Sequence, residues 1–583
     1  MSVAQPLLTD QIDIWTTAEN EKKTGRGRAS NSAASEYGVK KLRELILELA
    51  VRGKLVPQND DDQPASELLR QIYAQKTKLI AKGQIKNEKS FDPISNSEIP
   101  FQLPYNWEWV RISEIGHDWG QKSPDADFTY IEVSAIDNQR GVICSPELVK
   151  LENAPSRARK LVKKGTLIYS TIRPYLLNLA VVEDDYSPQA IASTAFAILH
   201  PFCSMPPRYF FHFLRSKVFV RYVESVQMGI AYPAINDRQF FSGLVPLPPL
   251  AEQHRIVAKV DELMAMCDQL EAKQSNAAEA HQQLVSDLLG TLTHSQSEAD
   301  FNANWQRIAH HFDTLFTTIT SIETLEQTLL ELSFMGKLVA QNINDTPVNE
   351  FLADIQSGNK QMAANRKAKK ASASSKSDVL TKPYSIPEQW RWICLEDIAQ
   401  VGTGATPLRT KPEYFDPPSI NWITSGETSN PFIFKTEQYV SPLALAETNL
   451  TVYPPGTLIV AMYGQGKTRG QVTELMIESC TNQACCAIQL INTESFHRKY
   501  IKLFFEKIYD EIRGLAAGGA QPNLNLSKVK ETLIPLPPFE EQARIVLKIN
   551  EVCILSKTLK SKIANSNKIK VKLSDATLAQ IAA

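Results

Sequence analysis

Three short stretches of this 583-residue chain carry residue types at spacings that could do chemistry. The first, Ala461-Met-Tyr-Gly-Gln-Gly466-Lys467-Thr468, approximates a phosphate-cradling loop with Ala in place of the first Gly. Such a loop works when it opens a helix whose N-terminal N–H groups meet the phosphates. Here Gly470 follows almost at once and GQVTELMI then reads as a strand. The spacing therefore predicts a strand–loop–strand finger that projects Lys467 and Arg469, not an ATP site. The second stretch, Asp416-Pro417-Pro418-Ser419, approximates the DPPY motif of amino-methyltransferases, whose final aromatic stacks on an extruded base. Ser419 cannot stack, and no glycine-rich cofactor strand precedes it. The third, His310-His311, is adjacent on a helix and makes a poor chelate. Eight cysteines form no CxxC pair, and Cys480, Cys485 and Cys486 have apolar neighbours, so they read as buried thiols of a reduced protein. No Ser/His/Asp set or carboxylate pair recurs in both halves. The expectation is a chain with no catalytic residue and no metal; a stand-alone DNA methyltransferase or P-loop ATPase is the alternative reading.

What does recur is the frame around these stretches. LRELILELAVRGKLVPQN (42–59) matches LEQTLLELSFMGKLVAQN (325–342), and FQLPYNWEWVRISEIG (101–116) matches YSIPEQWRWICLEDIA (384–399), both at an offset of 283. PLPPLAEQHRIVAK (246–259) matches PLPPFEEQARIVLK (535–548) at an offset of 289, with ten of 14 positions identical. Between these markers, roughly 117–228 and 400–517, the copies barely resemble each other. Two similar frames with unlike contents suit one scaffold used twice to recognise two different things.

The elements that make the frame follow from periodicity. Residues 38–52 step with helical spacing and stop at Gly53; the copy stops at Gly336. Pro246, Pro248 and Pro249 force an extended segment, after which Glu252 and Glu541 sit in a first helical turn, where the dipole favours acids. Ile256, Val260, Leu263, Cys267 and Leu270 then form a heptad seam, with Leu284 and Leu288 in phase past Gln274 and His281. The second copy offers Ile545, Ile549, Val552, Leu559 and Ile563, interrupted by Ser556. These spacer helices are expected to run for roughly 40 residues, about 60 Å. GTLIYS (165–170) and GTLIVAM (456–462) read as matching strands, and 208–225 and 498–515 as matching helices. Trp107, Trp109, Trp390 and Trp392 read as core residues rather than ligand-stacking ones. Residues 1–37 read as a loose polar tail with one short helix near Ile12 to Trp15, and 357–381 as a flexible basic linker. The N-terminal stretch has acids and no apolar run of signal-peptide length, and no segment approaches the roughly 18 apolar residues of a membrane span. The chain is expected to be cytoplasmic with no membrane partner.

Two variable regions opened by PxxW, closed by PLPPxxEQxRIV and followed by a heptad helix resemble the specificity subunits of type I restriction–modification systems. The resemblance covers residues 38–583, and the duplicated PLPPxxEQxRIV is its most specific part. It implies an α/β (α+β) fold, with two tandem target-recognition domains joined by long antiparallel coiled-coil-like helices in a pseudo-twofold internal repeat. The expected domains are an N-terminal tail (1–37), a conserved helical region (38–98), recognition domain 1 (99–249), a central spacer helix (250–300), a second helical region with the basic linker (301–382), recognition domain 2 (383–538) and a C-terminal spacer helix (539–583). The resemblance further implies a non-catalytic subunit bound to double-stranded DNA, two methyltransferase subunits and two restriction subunits. S-adenosylmethionine, ATP and magnesium would sit on those partners and none on this chain.

Net charge argues against a uniformly basic DNA-binding face. The chain carries 63 Lys and Arg against 64 Asp and Glu, a net −1. Residues 101–250 carry 15 against 14, and residues 383–538 carry 13 against 15. Any DNA surface must arise by segregation of charge. The candidates in the first domain are Arg157, Arg159, Lys160, Lys163, Lys164, Arg173 and Tyr175. Those in the second are Arg409, Lys411, Lys467 and Arg469. A solvated face is the alternative for each cluster. The paired loops GIAYPAIND (229–237) and GGAQPNLNL (518–526) share Gly and Asn but differ at Tyr232 and Gln521, as specificity positions would.

Overall fold

The three repeated blocks converge on one joint in each half. A computed structural model describes residues 12–17, 37–86, 90–229, 232–364, 381–464, 468–509 and 524–582. They form two units, residues 1–279 with 564–583, and residues 280–563.

In the first unit, helix Tyr37–Val51 buries Leu42, Leu45, Ile46 and Leu49 and ends before Gly53, whose φ is +67°. A Cβ at Gly53 would lie 2.6 Å from Pro104 Cγ, so both the left-handed backbone and the close approach require glycine. The strand Glu108–Arg111 pairs antiparallel with Leu244–Leu247, placing Trp109 opposite Pro246. The entry and exit of the variable region are thus zipped into one ribbon. Its two-stranded form tolerates proline because the missing N–H falls on an open edge. The Tyr209 hydroxyl donates to Pro246 O at 2.7 Å.

The Glu-Gln-x-Arg of the third block closes the joint. Trp107 Nε1 donates to Glu252 Oε2 at 2.9 Å and Gln58 Nε2 to Glu252 Oε1 at 2.6 Å. Gln253 Nε2 donates to Pro248 O at 3.0 Å, and Arg255 holds Asp62 through two nitrogens at 3.2 and 2.6 Å. Burial pushes the Glu252 carboxyl above the usual range, although both donors pull it down. The second unit repeats every contact. Trp390 and Gln341 donate to Glu541 at 2.9 and 2.6 Å, Gln542 to Pro537 O at 3.0 Å, and Arg544 holds Asp345 at 3.0 and 2.6 Å. Gly336 has φ +71° and faces Pro387, and Arg391–Cys394 pairs with Leu533–Leu536. The sequence recurs at these positions because each is one part of a single buried network.

The variable regions share a skeleton that their sequences hide. The first holds a sheet ordered Gly116–His117, Phe196–Pro201, Leu167–Ser170, Leu179–Val181. The second holds Ala399–Thr403, Cys485–Leu490, Leu458–Ala461, Val472–Leu475, in the same order and pairing sense, with Phe432–Ile433 added at the edge. A second sheet in each contains a parallel pair, Phe128–Ile131 with Ala190–Ser193 and Ile420–Ile423 with Cys480–Thr481. In the first unit this sheet gains the strand Ala158–Leu161.

Several expectations need correction. Residues 208–225 form two helices, Pro207–Leu214 and Lys217–Val226, because Ser216 leaves the helix and caps the second. The short helix expected near Ile12 to Trp15 is present as Ile12–Thr17, and it buries the Trp15 ring completely in the first unit's core, with its backbone against Gly38. Residues 1–11, 18–36, 365–380 and 510–523, and with them much of the expected linker, lie outside the described residues.

The long helices are Leu250–Thr293 and Phe539–Ala582, 44 residues each. Ile256, Val260 and Cys267 are buried in the first unit's core, with Leu263 and Leu270 partly buried against it. Leu578 joins that core, and Asp575 accepts from the Tyr37 hydroxyl at 2.8 Å. In the second unit Ile545 and Ile549 are buried, while Val552, Leu559 and Ile563 pack against Val285, Leu289 and Leu292. Leu284, expected in phase, is 51% exposed. A straight helix drifts about 20° per heptad from a 3.5-residue repeat, and over four heptads the buried stripe moves by one residue, to Val285. Ser556, read as an interruption, is itself buried.

Candidate nucleic-acid interface

The strand Ala158–Leu161 divides the basic cluster that looks continuous in sequence. Alternation points Arg157 and Arg159 outward and Lys160 inward. Lys160 is 2% exposed, with its Nζ 2.7 Å from Asp118 Oδ2 and 2.7 Å from Asp237 Oδ2. It therefore cannot touch a duplex, which corrects its place among the candidate contacts. Lys163 and Lys164 are exposed but lie at the other end of the strand, roughly 20 Å of extended chain from Arg157. There Lys163 covers the Trp119 ring at 3.8 Å, and both lysines line a cleft with Asp184 and Asp185 that offsets their charge. His117 and His200 stand beside Trp119. Burial lowers both imidazole pKa values, His200 to about 4, so neither adds charge at neutral pH.

The Arg157 end is where separate loops meet. Thr194 N donates to Arg157 O, Thr171 N to Ala195 O, and Ile235 N to Thr171 O, each at 2.8–2.9 Å. Arg173 N donates to Pro233 O at 2.8 Å, and Ile172 bridges Ala234. These bonds dock the hairpin turn between Leu167–Ser170 and Leu179–Val181 onto the 228–235 loop. The Arg173 guanidinium then lies 5.3 Å from the centre of the Tyr232 ring. Arg173 and Leu177 adopt φ of +47° and +56°, a tight conformation for side-chain-bearing residues. Tyr232 is 73% exposed, and Tyr175, Leu176 and Met228 are exposed around it. Exposed aromatic and apolar groups beside uncompensated arginines can contact base edges and phosphates together. The structure thus unites Arg157, Arg159, Arg173, Tyr175 and Tyr232, and leaves Lys160, Lys163 and Lys164 aside. Met228 and Leu176 escaped sequence reasoning; nothing in the local pattern marks them, since only the loop crossing exposes them together.

In the second unit the glycine-rich stretch is flanked by two described strands, while residues 465–467 lie outside the described residues. Leu458–Ala461 pairs antiparallel with Val472–Leu475, and among the described residues no helix stands between or directly after them for a phosphate to meet. Lys467 and Gln521 lie outside the described residues. Arg469 is half-buried, and its Nε is enclosed without a hydrogen-bond partner among the described residues. Arg409 is exposed on a loop, whereas Lys411 is held by Glu447 at 2.6 Å and covers the Tyr414 ring. Asp416 to Ser419 form an exposed turn. Cys480, Cys485 and Cys486 are buried, with burial pushing their thiols up to about 11, 12 and 12. Among the described residues no group of His, Cys, Asp and Glu could hold a metal ion, and no helix is long and apolar enough to cross a membrane.

Asn236 and Asn525, shared by the paired loops, are helix N-caps, accepting from Gln239 N and Lys528 N at 2.9 Å. The shared Asn therefore caps the helix after the loop in both copies, while Tyr232, where the copies differ, is exposed on the loop of the first.

Comparison with known proteins matches the doubled frame. The family described as "Type I restriction modification DNA specificity domain" matches residues 104–280 and again 387–572, once per repeat. The EcoAI specificity subunit of Escherichia coli is 33% identical over 99% of both chains, and the EcoEI specificity subunit of the same organism is 32% identical over 98% of both. A solved type I restriction–modification structure covers 83% of this chain and 99% of its own, with 23% identity and a TM-score of 0.51, a likeness of fold. The doubled joint, the doubled sheet and the doubled match place the chain in the family of type I restriction–modification specificity subunits.

Proposed function

We propose that each variable domain reads one half of a bipartite, asymmetric DNA site. The helices Leu250–Thr293 and Phe539–Ala582 set the gap and dock two methyltransferase subunits, which methylate adenine. Restriction subunits join for cleavage, and S-adenosylmethionine, ATP and magnesium belong to those partners. The observation that carries this reading is that one joint and one sheet skeleton occur twice while the loops they present differ. Target spacing then becomes a property of rigid connectors, and base choice a property of tips. Exchanging residues 101–249 for the corresponding domain of another member should change one half of the methylated site and leave the other half and the gap intact. Sequencing of methylated DNA from cells carrying the chimera checks this; a change in both halves would refute it.

Exposed apolar residues on the C-terminal helix support partner docking. Leu547 is 58% and Ile554 66% exposed, seven residues and thus two turns apart on one face. Changing both to Glu should weaken capture of the methyltransferase subunit at least tenfold without altering helix content. Co-purification and circular dichroism measure the two quantities, and unchanged capture would remove this face from the docking surface.

A further inference from the structure

Lys160 is a buried cation in a domain whose other lysines are on the surface, and its partners explain why it is there. Asp118 precedes Trp119 on one side; Asp237 is the first residue of helix Asp237–Ser242 on the other. Desolvation opposes the charge on Lys160, yet the two carboxylates outweigh it and hold the ammonium above its usual range. Asp237 also ends the loop that carries Tyr232. That loop is therefore fixed at two places, by the Pro233–Arg173 backbone bond near its tip and by Lys160 at its base.

We propose that Lys160 is a positioning residue for the first recognition surface: by clamping Asp237 from beneath, it sets the height and orientation of the Tyr232 loop, so that discrimination at the first half-site depends on it. The proposal rests on the half-site reading above. Among the described residues the second domain has no counterpart of the clamp. Leu526 stands at the place of Asp237, and the sheet containing Ile420–Ile423 has no described strand equivalent to Ala158–Leu161. The dependence is accordingly confined to one half of the target.

The test uses the full chain assembled with its methyltransferase partner, the target first read from methylated DNA of the wild type. Duplexes with single-base changes in either half are then titrated. Asp237→Asn keeps the Lys160–Asp118 pair and should fold. It should lower discrimination against first-half changes about tenfold and leave second-half discrimination within about twofold. Lys160→Met should do the same more strongly, and Lys160→Arg should restore most of the discrimination, which a merely stabilising role would not produce. Asp237→Asn with unchanged discrimination, or with equal losses in both halves, would overturn the clamp while leaving the half-site reading in place. A wild-type complex with no bipartite site would overturn both. If Lys160→Met does not fold, Asp237→Asn alone decides.

Discussion

Glu541→Ala is expected to destabilise the second unit by about 3 kcal/mol, and Glu252→Ala the first unit by a similar amount. Each glutamate is buried to within 1% of full enclosure and accepts from a Trp indole and a Gln amide. Truncation leaves one enclosed donor, the indole N–H, without a partner at a cost of roughly 1–3 kcal/mol, and takes the charged acceptor from a Gln amide that keeps only Gly53 O or Gly336 O. Part of the loss is offset because the carboxylate charge is itself unfavourable there. Burial raises both carboxyl pKa values above the usual range, so protonation is easier in the folded chain than in the unfolded one. The sign follows: this contribution is most favourable below the unfolded value of about 4.3 and is lost as pH rises through the folded value. Gln at either position should therefore cost less than Ala, since it removes the charge and still accepts one hydrogen bond, and should flatten the pH dependence in that window. Urea denaturation gives the magnitude, and amide exchange on Arg391–Cys394 and Leu533–Leu536 locates it. A loss below about 0.5 kcal/mol for both Ala variants would mean that the network does not hold the joint.

Removing Arg157, Arg159 and Arg173 together should weaken DNA binding by the assembled complex about 100-fold at 0.15 M salt. Three phosphate contacts correspond to a salt-dependence slope smaller by about 2.7, since each contributes about 0.9. The three arginines stand at the end of the domain where the hairpin turn meets the Tyr232 loop, and none makes an ion pair among the described residues. The control is specific to the structure. Lys163→Ala with Lys164→Ala removes two charges from the same sequence cluster, but at the far end of the strand beside Asp184 and Asp185. That pair should leave affinity within about threefold and the slope unchanged. Equal effects of the two variants would show that the strand does not divide the cluster as described.

The chain's doubled architecture was legible without coordinates because structural necessity repeats exactly where contents do not. Glycine at 53 and 336, tryptophan at 107 and 390, and glutamate at 252 and 541 are parts of one joint, so they align by eye. The role of the glutamates was only half visible: their place in a first turn followed from the prolines, but their burial against Trp107 and Trp390 did not. Lys160 was misread because one residue's parity on a strand decides whether a lysine faces water or the core, and its neighbours in sequence share its charge. Local pattern determined the repeated helices that stop before Gly53 and Gly336, the strand pair at GTLI and the existence of two frames, since these depend on contacts within a few residues, but it missed the break at Ser216. Tertiary structure alone decided which basic residues stand together and which loops meet at Tyr232. It also decided that two unlike sequences build the same sheet, because those outcomes depend on pairings between segments tens of residues apart, which no local periodicity records.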